Sequence, residues 1–298
     1  MSTPKTVLIT GCSAGGIGFA LAEEFQSRGC HVFATARSPA KMEALSKLPN
    51  VTLLPLDVCS QASIEAAVSA VSAQTGGTLD YLINNAGAVY VMPILDSDMQ
   101  KAKSLFDVNL WGVIAVTQAF APLVIASKGA IVNISSLAAL MYTPYYGNEC
   151  PLLTGVPNFT LGIYGASKAA LQSFSETLRL ELQPFGVKVV TAVSGAVKSK
   201  IFTNAPALRL PEDSLYTPAE KEIVARAGGA DVEKNHSTLE DYSRTLISDI
   251  LGGASGKVYR GSMSSIVKIL TAWMPSFLFD WVSTLDTGLE KVGKPKQL

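Results

Sequence analysis

Short apolar runs recur along the chain, separated by polar stretches with a different rhythm. Val7 to Thr10, His31 to Ala36, Val51 to Leu56, Tyr81 to Asn84, Ala130 to Ser135 and Val187 to Val193 are β-branched or apolar and read as buried strands. Between them, helical patterns cover Ile17 to Arg28, Pro39 to Leu48, Ile64 to Thr75, Met99 to Ser127 and Tyr164 to Phe185, with Ser38 and Ser60 placed as N-caps. Strands that alternate with helices need crossovers that return each strand parallel to the last, and right-handed crossovers cover both faces of one sheet. The pattern predicts an α/β fold, a doubly wound parallel sheet of the Rossmann type.

No internal repeat and no low-complexity linker marks a boundary, so the 298 residues read as a single domain with its core over 5–203. Two segments break the alternation. One, 142–162, is rich in Pro, Gly and Asn and reads as an inserted loop; the other, 200–245, is charged with helical stretches and reads as a substrate-side lid. The inserted loop carries Tyr142, Tyr145, Tyr146, Leu152, Leu153 and Phe159, a set suited either to a hydrophobic substrate or to a dimer interface. A C-terminal apolar segment spans 262–290. Pro275 interrupts it, so it is too broken for a transmembrane helix. Its Trp273, Phe277, Phe279 and Trp281 suit a lid or an oligomer contact, with a membrane interface as the less favoured alternative.

Composition narrows the function. Hydrophobic residues make up 48% and charged residues 16%, enough apolar material for a large core. Basic and acidic residues each total 24 and form no long basic run, which argues against nucleic-acid binding. Cys12, Cys30, Cys59 and Cys150 are scattered, and with His31 and His236 they make no metal-ligand pattern, so no metal is expected and a reducing compartment fits best. The apolar run that starts at Thr6 is followed by glycines, the mark of a first strand rather than a signal peptide. The expected location is cytoplasmic, with the periphery of an ER or lipid-droplet membrane as the variant that the C-terminal aromatics leave open.

Candidate chemistry begins after the first strand. In TGCSAGGIG, Thr10 to Gly18, glycines permit a tight turn, close approach of backbone N–H groups to a pyrophosphate, and a helix N-terminus that favours anions. A purely structural turn would also use glycine. The second strand ends with Ala36 and Arg37; the acid that usually holds an NAD ribose is missing, and a guanidinium stands next in line. Arg37 is suited to fork onto a 2′-phosphate, which points to NADPH, although an isolated surface Arg is the bland reading. Further on, Tyr164 and Lys168 stand four apart in YGASK, on one face of a helix. A nearby ammonium is expected to lower the phenol from its usual value of about 10 and make Tyr164 a usable acid. Taken alone, the pair also fits a helix that packs Tyr inward and Lys outward.

In combination these residues are specific. TGCSAGGIG, Asp57, Asn84-Asn85-Ala86-Gly87, Asn109, Ser135-Ser136 and YGASK follow the order typical of the short-chain dehydrogenase/reductase family, which the chain resembles over about residues 5–203. The resemblance implies that Ser136 orients a carbonyl, Tyr164 donates the proton, Lys168 clamps the ribose and tunes the phenol, and Asn109 anchors a proton-relay water. It implies cofactor contacts at Gly11, Ser13, Gly16, Ile17 and Gly18 in the turn, and at Arg37, Asp57 and Val58 around the adenosine. Further contacts are implied at Asn85, Ala86, Gly87, Tyr164 and Lys168, and at Val197 and Ser199 near the nicotinamide. A homodimer or homotetramer is the implied assembly. The reaction implied is hydride transfer from NADPH to a carbonyl of a hydrophobic small molecule, either an acyl-ketone lipid or a polycyclic natural-product intermediate. A non-redox isomerase or cyclase on the same fold, or a cofactor-binding protein without turnover, is the competing class, and retention of Ser136, Tyr164 and Lys168 argues against both.

Three departures stand out. The glycine turn is one residue longer than the usual TGxxxGIG, with Gly15 expected to absorb the extra residue. Ser194-Gly195 replaces the usual Pro-Gly after the sixth strand. Ser136 and Tyr164 stand farther apart than usual, which creates the inserted loop. The longer turn, FATARSP and the Ser-Gly-Ala-Val stretch are similar to the fungal and yeast NADPH-dependent 1-acyldihydroxyacetone-phosphate reductase branch of the family.

Overall fold

The computed structural model describes residues 3–141, 162–201, 208–228, 236–284 and 292. Strands β1 (Thr6–Thr10), β2 (His31–Ala36), β3 (Val51–Pro55), β4 (Tyr81–Asn84), β5 (Ala130–Ser136), β6 (Lys188–Ser194) and β7 (Gly256–Arg260) form one sheet in the order β3-β2-β1-β4-β5-β6-β7. Every neighbouring pair is parallel. The apolar runs predict β1 to β6, each end within one residue. They are legible because both sheet faces are covered: Val7, Leu8 and Ile9 are all fully buried, so the run needs no polar alternation. β7 has no such signal. Its sequence GKVYR carries two charges and lies at the sheet edge without a buried residue.

The helices are α1 (Ile17–Ser27), α2 (Gln61–Thr75), α3 (Met99–Phe106), α4 (Gly112–Ser127), α5 (Gly162–Leu182), α6 (Glu220–Ala227), α7 (Leu239–Leu251), α8 (Ser264–Trp273) and α9 (Ser276–Thr284). The predicted helix Met99 to Ser127 is interrupted by a π-helical turn at Asp107–Trp111 between α3 and α4. The predicted helix after β2 is a 3₁₀ helix, Pro39–Lys47, and Ser38 makes no capping bond to it. Its only buried residues, Met42 and Leu45, are three apart, the spacing that a 3₁₀ turn places on one side. Ser60 does cap α2, accepting from the Ser63 amide.

Alternate strand residues serve two cores. Val7, Ile9, Val132 and Ala192 pack with α1 and α7 through Leu21, Phe25, Tyr242 and Leu246. Leu8, Ile131 and Val189 pack on the other face with Ile64, Phe120 and Leu182. Because all strands are parallel, Thr10, Ala36, Asn84, Ser136 and Ser194 reach one edge of the sheet. Strand order reverses between β1 and β4, which opens a crevice at that edge.

The inserted loop, apart from Gly162, lies outside the described residues, as do Tyr142, Tyr145, Tyr146, Leu152, Leu153 and Phe159. The C-terminal segment forms α8 and α9 on either side of Pro275. Val267 of α8 packs against Leu137 and Val193, with Leu140 and Met141 alongside, so this helix roofs the ends of β5 and β6. Trp273, Phe277 and Trp281 point outward, 84%, 73% and 51% exposed, whereas Phe279 is buried.

Candidate active site

The glycine turn is shaped by what a side chain would collide with. Gly11 and Gly15 have φ of 76° and 78°, the left-handed region in which glycine is unstrained. The Lys200 side chain lies across Gly15, 2.7 Å from where a Cβ would stand. Gly18 lies beneath the turn, where a Cβ would come within 2.4 Å of Asn85 Nδ2 and 2.6 Å of the Gly11 carbonyl. Asn85 fixes the turn by donating from Nδ2 to the carbonyls of Thr10 (2.8 Å) and Gly11 (3.1 Å). Thr10 Oγ1 in turn accepts from the amides of Asn85 and Ala86. Gly16 precedes α1, and neither a capping side chain nor an acid occupies the first turn. The N–H groups there are suited to an anion.

A cavity of about 1300 Å³ runs along this edge, larger than the roughly 300–1,000 Å³ of ordinary small-molecule pockets. At the β2 side its wall includes Ala36, Arg37, Lys41, Asp57 and Val58. Arg37 is exposed, and the Asp57 carboxylate is partly committed to its own turn, accepting from the Cys59 amide at 3.0 Å. Gly11, Ser13, Gly16, Ile17, Asn85, Ala86 and Gly87 form the middle of the wall. Ser136, Tyr164, Lys168, Ser194, Val197 and Ser199 line it toward β5 and β6.

Ser136 ends β5, and its Oγ accepts from the Ala138 amide at 3.1 Å. Its side chain also lies near enough to the buried Tyr164 hydroxyl to oppose the upward shift of that phenol. Lys168 Nζ donates to the Ile134 carbonyl at 2.9 Å and stands 5.8 Å from the centre of the Tyr164 ring. The helical spacing of four therefore does bring phenol and amine to one place. The expected lowering of the phenol is absent from the polypeptide itself. Burial pushes Tyr164 up to about 12, opposed in part by the Ser136 side chain. Burial also pulls Lys168 down to about 8. Desolvation is the larger effect on the phenol, with the amine standing over its ring at 5.8 Å from the centre.

Two of the predicted residues stand behind the wall. Gly18 is a packing residue under Asn85, for the steric reason given above. Asn109, in the π turn, is fully buried; its Oδ1 accepts from the Ala88 amide, and its Nδ2 donates to the Ala88 carbonyl and to Ser167 Oγ. Both amide protons are thereby used. Ser167 Oγ donates onward to the Tyr164 carbonyl at 2.7 Å, so Asn109 braces the turn of α5 that carries Tyr164. Sequence reasoning passed over Lys41 beside Arg37, Lys200 over Gly15, and Gln172. Gln172 is four residues beyond Lys168 and donates to Ser135 Oγ and the Ser136 carbonyl. The spacing Tyr164, Lys168, Gln172 on one helical face was the signal that could have found it.

A family model described as short chain dehydrogenase matches residues 5–148 and 150–208. Short-chain dehydrogenase ptmH of Penicillium ochrochloron is 48% identical over 286 residues, covering 96% of this chain and 98% of that protein. The NADPH-dependent 1-acyldihydroxyacetone phosphate reductase of Schizosaccharomyces pombe is 39% identical over 256 residues, covering 85% of this chain and 80% of that protein. Among solved structures, a short-chain dehydrogenase from Streptomyces avermitilis superposes with a TM-score of 0.73 at 26% identity, covering 92% of this chain and 97% of that one.

Proposed function

The chain belongs to the short-chain dehydrogenase/reductase family, and from that premise we propose that it is an NADPH-dependent reductase that converts a ketone on a hydrophobic substrate to the alcohol. One observation carries the reading: a single cavity joins an acid-free strand end bearing Arg37 to a buried Tyr164 with Ser136 and Lys168 on the same wall. The similarity to a relative named as NADPH-dependent supports the choice of cofactor.

The residues present fit a phosphorylated dinucleotide. The uncapped first turn of α1 takes the pyrophosphate, and Arg37 with Lys41 takes the 2′-phosphate. Asp57 and Val58 bound the adenine side, Gly87 and Lys168 the ribose, and Val197 and Ser199 the nicotinamide side. When bound, the cofactor supplies the hydride that reaches the carbonyl carbon. Ser136 and Tyr164 donate hydrogen bonds to the carbonyl oxygen as negative charge develops there. Tyr164 then transfers its phenolic proton to that oxygen, which completes the alcohol. Lys168, largely an ammonium at neutral pH, stabilises the phenolate left behind. Asn109 is a positioning residue that acts through Ala88 and Ser167. Leu105, Ala138 and Ile163 pack around Tyr164 with Val89 and Val91, an apolar surround that suits a hydrophobic ketone.

The test is NADPH consumption, followed by absorbance, with a panel running from long-chain acyl ketones to polycyclic ketones. The wild type consumes NADPH with some of the panel and Tyr164→Phe with none. A wild type inert toward the whole panel, or a variant that matches it, refutes the reading.

A further inference from the structure

β5 and β6 are in register such that Ser136 has Ser194 as its partner on the next strand. Each serine meets a tyrosine hydroxyl. Ser136 stands near the phenol of Tyr164 on α5 and draws its pKa down; Ser194 Oγ lies 2.5 Å from the hydroxyl of Tyr242 on α7, from the opposite layer of helices. Tyr242 is only 1% exposed and heads the largest fully buried side chains. Burial pushes its phenol up to about 12, the Ser194 bond opposes this, and Tyr164 adds to the rise, so the two phenols lie within electrostatic reach of each other.

The backbone around Ser194 has little slack. The Gly195 amide donates to the Arg260 carbonyl at 2.8 Å, and a Cβ on Gly195 would stand 2.0 Å from the Ser262 carbonyl oxygen. Ser194 lines the cavity with Tyr164 and Lys168. Among the described residues its hydroxyl has one other acceptor, the Ala192 carbonyl at 3.5 Å, at the outer limit for a hydrogen bond. If Tyr242 donates, the Ser194 proton is left without a good acceptor among the described residues. Proline at this position would supply neither a hydroxyl nor a reason for the phenol.

We propose that Tyr242 is a positioning residue that donates to Ser194 Oγ and turns the Ser194 proton into the cavity, where it bonds a polar group at the nicotinamide end of the cofactor. The proposal rests on the NADPH reading above and adds Ser194 and Tyr242 to the residues that serve that site.

The experiment compares two ligands by calorimetry: NADPH, and 2′-phospho-ADP-ribose, which keeps the adenosine, 2′-phosphate and pyrophosphate but lacks the nicotinamide. Ser194→Ala and Tyr242→Phe are each expected to weaken NADPH about five-fold, the worth of one neutral hydrogen bond, and to leave 2′-phospho-ADP-ribose unchanged. The double variant should bind NADPH no more weakly than Ser194→Ala alone, because Tyr242 acts through Ser194. Melting temperatures report folding; should Tyr242→Phe fold poorly, Ser194→Ala, which keeps that ring in place, carries the ligand contrast. Equal losses for both ligands, no loss for either, or additive losses in the double variant overturn the proposal. A wild type that binds neither ligand removes the NADPH reading, and this inference with it, by a pattern distinct from the other three.

Discussion

The two ends of the cavity are made of different material. Around β1 and α1 the wall is backbone, shaped by Gly11, Gly15, Gly16 and Gly18 and by an uncapped helix start. Around β5 and β6 it is side chain: the buried Tyr164, Lys168 and Ser194, with the half-buried Ser136. A surface of backbone amides is harmed by atoms added to it, and a surface of buried hydroxyls and an amine by atoms removed. Anion recognition needs only donors at fixed places, whereas proton transfer needs a group whose charge state can change.

Removal of one oxygen at the second end tests this most severely. Tyr164→Phe should lower turnover roughly 10³-fold, within the usual range for losing a general acid, while NADPH affinity measured by calorimetry stays close to wild type. A comparable loss of affinity would place the phenol in binding rather than proton transfer.

Lys168 gives the next largest effect, with the opposite sign for stability. Its folded value of about 8 lies below the ordinary 10.5, so the unfolded chain holds that proton more tightly. Burial of the ammonium therefore costs about 3 kcal/mol below pH 8, by the equivalence of pKa shift and free energy. The cost fades as pH rises from about 8 toward 10.5. Lys168→Met should be more stable than wild type in urea at pH 7, lose that advantage by pH 10, and be nearly inactive. In the wild type, carbonyl reduction should slow as pH climbs through about 8. A less stable Lys168→Met would mean that the folded protein compensates the ammonium.

At the backbone end a single added carbon should suffice. Gly18→Ala places a Cβ against Asn85 and the Gly11 carbonyl and should cost about 1–3 kcal/mol, as overpacking does, with a matching loss of 2′-phospho-ADP-ribose binding; unchanged unfolding curves would contradict the sterics. The smallest effect belongs to the exposed cation. Arg37→Ala should narrow the preference for NADPH over NADH about ten-fold, one charge-assisted contact, and an unchanged ratio would shift the assignment to Lys41.

Local patterns were legible from sequence where the cause is local. Six strands are visible because doubly covered strands are continuous apolar runs. Tyr164 and Lys168 meet because helical spacing alone aligns them. What escaped depends on long-range packing. Tyr242 lies 48 residues from Ser194, in a stretch that reads as a charged lid, and Lys200 reaches Gly15 only after the chain has crossed the sheet. β7 is short, charged and at the edge. The direction of the Tyr164 shift was misjudged because spacing reports the nearness of an amine but not the loss of water around the ring. Asn109 was located in sequence, but its place behind the wall depends on the π turn.

That turn, Asp107–Trp111, also constrains how the gene can vary in length. An α-helix advances about 100° per residue, and a π turn holds one residue more than an α turn in the same sweep, so rewinding this stretch as plain α-helix at unchanged length would swing α3 by about that angle relative to α4. Leu105 would then leave the cluster it shares with Tyr164, and Asn109 would lose Ala88. One-residue insertions or deletions within α3 or α4, which loops elsewhere absorb, would likewise rotate one helix against the other, and length variants selected for activity should keep α3, the turn and α4 at constant length.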